Sequence, residues 1–264
     1  VPIVVENKPG ATGTIGYAQV ARADADGYTL LLGTNSTFAI APHFYSNLTY
    51  NADTDFAAIG MIGGNQQVLC ATPSLGIDTM AQLLTRAKQA PGEISYASSG
   101  VGGSSHLATE LLMSITGIKM LHVPYRGGAP AVQALLGGQT QVGFVDISLA
   151  EPLIRGGKLK ALGTSGTARA PSLPDVPTLA ETGATGFDSM TTFGLFVPAA
   201  TPMPKVDRLN QVLNVSLRDP SVVEKLSTMG YELTGGTPDT FKSYADAETK
   251  KWGTLIKQRN IMLP

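Results

Sequence analysis

Apolar and polar positions follow two rhythms along most of this chain, and each rhythm marks a different kind of element. Short runs rich in β-branched and other apolar residues, bounded by Gly, Pro, Asn or Ser, predict strands. Apolar residues returning every three or four positions predict helices. The first pattern predicts strands at residues 1–5, 28–32, within 57–71, and at 94–97, 119–123, 141–145, 159–164 and 190–197. The second predicts helices at 13–23, 38–45, 79–89, 104–116, 129–136 and 149–155, then at 206–217, 220–229 and 238–260. Pro91-Gly92, Gly117 and Gly137-Gly138 supply the stops. Strands separated by helical stretches imply βαβ units, hence an α/β fold of mainly parallel sheets flanked by helices. The segment 60–73, "GMIGGNQQVLCATP", is long enough to cross between two lobes, and 187–196 suits a return. That predicts a discontinuous first lobe, 1–70 and 191–264, and a continuous second lobe, 71–190. Ligands of such folds sit outside the carboxyl ends of the strands.

Composition narrows the partners. Of 264 residues 43% are hydrophobic and only 15% charged, with a formal net charge of -1. Polarity therefore comes largely from Ser, Thr, Gly, Asn and Gln, and the balance argues against nucleic acid, which favours a basic face. No apolar run is long enough to span a membrane. Cys70 has no partner for an internal disulfide and reads as a small core residue in "QVLCAT".

Three turns that follow strands share one design: "GTNST" (33–37), "ASSGVGGSSH" (97–106) and "PYRGGAP" (124–130). Each leads small or hydroxyl-bearing residues into a helix start, where unpaired N–H groups and a partial positive charge favour an anion. Each alone reads more readily as ordinary capping; the three together suggest a small anion held by neutral donors. A dinucleotide fits less well, because Gly100 and Gly102 are followed by Ser105 where a third glycine is needed, and no phosphate-loop lysine motif occurs. No metal motif is present, and the residues call for no cofactor. The rival from another class is a hydrolase or acyltransferase using a serine of the 98–105 loop. It lacks a nucleophile elbow, "GTSGT" missing by one residue, and its histidines are limited to His43, His106 and His122. His106 and Glu110 lie one helical turn apart and read as a local contact, and His122 as a packed strand residue. Arg126 suits a ligand carboxylate or solvent. Asp146 suits a polar ligand group or the capping of the following helix. Phe193 reads as an apolar wall or core, and Trp252 as packing.

"VVENKPGATGTIG", "YASSGVGGSSHLATELL", "HVPYRGGAPAVQALLGGQTQVGF", "GKLKALGTSGTARAPSLPDVPTLAETG" and "FGLFVPAATP" occur in this order over nearly the whole chain. As a set they resemble the Bug family, the extracytoplasmic solute receptors of tripartite tricarboxylate transporters. The resemblance implies a two-lobed periplasmic binding protein (type II-like). It would be a non-enzymatic receptor that captures a small organic acid (dicarboxylate, amino acid or aromatic carboxylate) and hands it to membrane permease subunits. It also implies ligand contacts at the matching positions. In the first lobe these are Thr12, Gly13, Thr34, Asn35 and Ser36, with Thr192 and Phe193 on the return. In the second they are Ser98, Ser99, Gly100, Gly103, Ser104, Tyr125, Arg126, Gly127, Gly128 and Asp146. One departure matters. Family members carry a strand, a Gly-rich turn and a helix, as well as an export signal, before the "VVEN" stretch. The expectation is therefore a first lobe lacking that N-terminal strand and helix, exposed along one strand edge and open to dimerisation there.

Overall fold

A computed structural model describes residues 2–8, 13–45 and 47–262. The described elements are α1 (Thr14–Val20), β1 (Leu31–Thr34), a π-helical turn (Ser36–Ile40) running into α2 (Ala41–Phe44), β2 (Phe56–Ala71), α3 (Met80–Gln89) and β3 (Ser95–Ser98). Then come α4 (Ser104–Thr116), β4 (Leu121–Pro124), α5 (Gly128–Leu136), β5 (Val142–Asp146), α6 (Ile147–Arg155) and β6 (Lys160–Thr164). The chain ends with β7 (Met190–Pro198), α7 (Met203–Ser216), α8 (Pro220–Thr228), β8 (Tyr231–Leu233) and α9 (Pro238–Arg259). Two compact units result. The first holds Val1–Gly64, Thr192–Thr228 and Glu232–Thr254; the second holds Asn65–Thr191, Met229–Tyr231 and Leu255–Pro264. No described helix is long and apolar enough to cross a membrane.

In the second unit β3 lies parallel to both β4 and β5, and the far half of β2 lies antiparallel to β5 on one side and to β6 on the other. The parallel part expected from the helix–strand alternation is thus β5, β3 and β4. The sheet as a whole is mixed, because the long strand β2 enters against that direction. Alternation along β2 divides its side chains between two faces. Leu69 and Ala71 join Tyr96, Val142 and Phe144 under α3 and α4, whose Met80, Leu83, Ala108 and Leu112 are buried there. Val68 and Cys70 join Ala97 and Val145 under α5 and α6, through Ala131, Leu135 and Ala150. Each large apolar side chain so covered contributes about 1.5–3 kcal/mol. Cys70 is wholly buried, and burial pushes its thiol up to about 12.

In the first unit β1 pairs antiparallel with β7, Leu31 opposite Phe196 and Thr34 opposite Phe193. Ile59, Val197, Val206 and Leu213 form one core cluster. Beside β1, Phe196 packs on Phe241 with ring centroids 4.9 Å apart, and on Phe38 at 5.7 Å. The strand expected at 1–5 is not formed over the described residues 2–5: Ile3, Val4 and Val5 lie exposed, with no strand pairing recorded for them. β1 ends its strand order, and a cavity of about 750 Å³ runs beside it, lined among others by Val4, Tyr28, Leu30, Leu32 and Thr34. The short strand β8, at Tyr231–Leu233, was not expected; three residues are too few to show a period.

Candidate functional site

Helices α4, α5 and α6 begin directly after β3, β4 and β5, so all three starts lie at the carboxyl edge of the parallel strands. None has a side-chain cap: Gly103 stands before α4, Gly127 before α5, and Asp146 before α6 without bonding its helix. At the other edge of the sheet, where β2 ends opposite the beginning of β5, α3 starts with a full capping box between Thr79 and Gln82. The contrast has a chemical meaning. α3 meets its first amides with its own side chains, whereas the starts of α4, α5 and α6 have no N-cap side chain to accept from them, the condition that suits an anion at a helix start.

The two expected loops of this unit meet. Tyr125 N donates to Ser98 O at 3.0 Å, and Gly127 N donates to Ser99 O at 3.1 Å. A methyl group on Gly100 would stand 3.3 Å from Tyr125 O, so the loops are in contact. Within the serine turn, Ser99 N donates to Ser105 Oγ at 2.9 Å, and Ser99 Oγ lies 3.1 Å from the same oxygen. Ser98 is fully buried; its Oγ accepts from Gly100 N at 3.2 Å and lies 2.6 Å from His122 Nε2. Ser99, Gly100, Gly103, Ser104, Tyr125 and Gly127 are half-buried, whereas Arg126 and Gly128 are exposed.

Gln67 of β2 adds a group that the sequence reading left out. It is buried, and its Nε2 donates to Asp146 Oδ1 at 3.1 Å and reaches Ser104 Oγ at 3.5 Å. Asp146 and Ser104 are thereby tied together beside the serine turn. The one visible cue was the polar pair Gln66-Gln67 inside an otherwise apolar strand run.

The expected residues of the first unit also group together. Asn35 is buried; its Oδ1 accepts from Thr192 N at 3.3 Å, and its Nδ2 donates to Glu248 Oε2 at 3.3 Å. Thr192 Oγ1 accepts from Tyr244 OH at 3.3 Å. Thr34 pairs with Phe193 across the ladder, and both are half-buried, as is Ser36. Gly13, before α1, has φ +85°, and a side chain there would meet Thr37 Oγ1 at 2.9 Å, so glycine suits this position on both counts. Thr12 lies outside the described residues. No cluster of metal-ligating side chains occurs among the described residues.

The mixed α/β sheet with flanking helices is shared with solved periplasmic solute-binding proteins, among them the periplasmic binding protein BugD, at a TM-score of 0.80 and 34% identity over 99% of this chain and 88% of that one. Solved relatives agree. An R. palustris protein with adipate has a TM-score of 0.85 and 32% identity, covering 99% of this chain and 87% of that one. MatC from Rhodopseudomonas palustris with bound malate has a TM-score of 0.79 and 30% identity, covering 97% and 88%. Protein BugT of Bordetella pertussis is 32% identical over 263 residues, 99% of this chain and 81% of its own. Residues 1–261 match the tripartite tricarboxylate transporter family receptor, TctC, and the chain belongs to that family.

Proposed function

We propose that this chain is a periplasmic receptor that captures a small dicarboxylate and delivers it to the membrane permease of a tripartite tricarboxylate transporter. The observation that carries this reading is the set of three uncapped helix starts at one edge of the second unit, beside the Gln67–Asp146–Ser104 cluster. A carboxylate moved out of water needs its lost hydrogen bonds replaced. Backbone amides and hydroxyls replace them with charge-assisted bonds without adding a counter-ion. Asp146, an acceptor, suits a ligand hydroxyl or an ordered water, while the carboxylate end goes to the amides. Gly13, Thr34, Asn35, Ser36, Thr192 and Phe193 of the first unit are proposed as further contacts on the strength of family membership. The choice of dicarboxylates rests on the adipate and malate bound by the relatives.

Calorimetric titration with malate and adipate tests the reading. At least one should bind, and Ser99→Ala and Ser104→Ala should each weaken it by about tenfold, the size of one hydrogen bond to a charged group. Unchanged affinity in both variants would remove the serine turn from the site, and no binding of any organic acid would end the reading.

A hydrolytic function is disfavoured by burial. Ser98 and His122 make the contact that a nucleophile and its base need, but Ser98 has no exposed surface for an acyl substrate to reach. Assays with aryl esters should show no hydrolysis above that of the Ser98→Ala variant; a serine-dependent rate would revive the rival. For the exposed edge at β1, pairing of two copies is our reading. Sedimentation at the mass of one chain would remove it.

A further inference from the structure

Beside the turn at 98–102 lies a set of rings and charged groups that the proposed ligand contacts do not use; Tyr96, His106 and Glu110 are buried, His122 is half-buried and Arg259 is exposed. His106 of α4 and His122 of β4 stack with ring centroids 4.1 Å apart and planes inclined by 8°, and Tyr96 of β3 stacks on His122 at 4.7 Å. Each imidazole reaches the turn. Gly102 N donates to His106 Nδ1 at 3.1 Å. His122 Nε2 lies 2.6 Å from Ser98 Oγ, the same oxygen that accepts from Gly100 N. On the other side, Glu110 Oε1 stands 3.8 Å from His106 Nε2 and accepts from Tyr96 OH at 3.0 Å. Glu110 Oε2 accepts from Arg259 Nε at 2.7 Å. The groups facing His106 are therefore His122, Tyr96 and Glu110, with Arg259 behind the carboxylate.

An N–H can donate only to a ring nitrogen that carries no proton, so the Gly102 contact assigns His106 the neutral tautomer with its proton on Nε2, toward Glu110. A second proton on Nδ1 would set donor against donor. We propose that His106, stacked on His122, is a positioning residue: as a neutral acceptor it holds the 98–102 turn in the shape that presents Ser99 and the start of α4 to a carboxylate, and protonation lets the turn go. This rests on the reading that the turn contacts the ligand.

The electrostatics agree with the geometry. Burial, then the neighbouring His122, brings His106 down to about 4, against an opposing pull from Glu110. Burial also lowers His122. For a base held neutral by the fold, the associated stability is complete above the ordinary imidazole value of 6.5 and is lost as pH falls from there toward about 4. The hold on the turn itself breaks at the lower end of that window, where His106 takes up its proton.

The experiment reads the turn first and the ligand second. In the ligand-free protein, the Gly102 amide shift should follow the His106 ring as pH falls through its titration. Gly102 hydrogen exchange at neutral pH should rise about tenfold in His106→Leu. It should return to within about twofold in His106→Asn, whose amide oxygen accepts where Nδ1 did. Malate affinity at neutral pH should fall about tenfold in His106→Leu and be retained in His106→Asn. A Gly102 amide that ignores the His106 titration, or that stays equally protected in His106→Leu, overturns the proposal. So does loosened exchange with unchanged malate affinity. If malate and adipate fail to bind the unmutated protein, the receptor reading falls and the exchange data alone decide whether His106 holds the turn. Should His106→Leu fail to fold, the pH titration of the unmutated protein reads the same contact.

Discussion

Trp252→Ala is expected to lower the unfolding free energy by about 4 kcal/mol, at the upper end for single core truncations. Trp252 is the largest of the fully buried side chains, with 2% of its surface exposed. Two losses combine. The emptied indole volume leaves a cavity that neighbours in a packed core fill only in part. Glu248, itself buried, then loses the indole N–H that donates to its Oε2 at 2.7 Å. Lys251, which lies over the indole ring and pairs with Glu248, does not replace that donor. Trp252→Phe keeps most of the buried area and removes only the hydrogen bond, so about 1–2 kcal/mol should be lost instead. Urea unfolding followed by far-ultraviolet circular dichroism measures both, since the chain has no other tryptophan to report by fluorescence. A loss below 1 kcal/mol in Trp252→Ala would mean that the indole is not packed as described. The effect should also reach the site. Glu248 Oε2 also accepts from Asn35, and Asn35 in turn accepts from Thr192 N, so slack at position 252 travels along two hydrogen bonds to proposed ligand contacts.

The second large effect is expected at Gly127. Its φ of +114° and ψ of 173° belong to a region open to glycine alone. A methyl group there would meet nothing within 4 Å, so any effect of Gly127→Ala comes from the backbone and not from a clash. The backbone must either hold a conformation costing about 1–3 kcal/mol or rotate out of it. Rotation would turn away the N–H that donates to Ser99 O and shift the start of α5. Malate affinity is expected to fall by about tenfold or more, with a modest drop in thermal stability. Gly157→Ala, an equally open position with φ +68° that is no proposed ligand contact, should lower thermal stability in the same way and leave malate affinity within about twofold. Equal malate affinity of the two variants would show that the turn geometry at 127 does not matter for binding.

The elements most legible in the sequence are those whose cause is local. The helix expected at 104–116 is α4 to the residue, because Gly103 and Gly117 bound one amphipathic run, and Gly117 ends it with φ +72°. α3 starts one residue later than expected, since Thr79 serves as its cap. The strand expected at 1–5 failed for the opposite reason. β-branched residues show a preference for sheet, but a strand exists only with a partner, and none is recorded for residues 2–5. The serine turn and the Tyr-Arg-Gly-Gly turn could each be noticed alone. Their contact through Tyr125 N and Ser98 O could not, because parallel register is set across an intervening helix.

The amino-acid order by itself determined the alternation of strands and helices, the absence of phosphate-loop and metal motifs, and the neutral, hydroxyl-rich character of the turns, since each is a property of neighbours along the chain. Only the tertiary structure decided that β2 runs against the parallel strands, that Gln67 joins Asp146 across 79 residues, and that two histidines stack beside the serine turn. Those arrangements depend on which faces the sheet buries and which edge it leaves open. Burial and edge exposure are settled by packing between distant segments, and no local pattern encodes them.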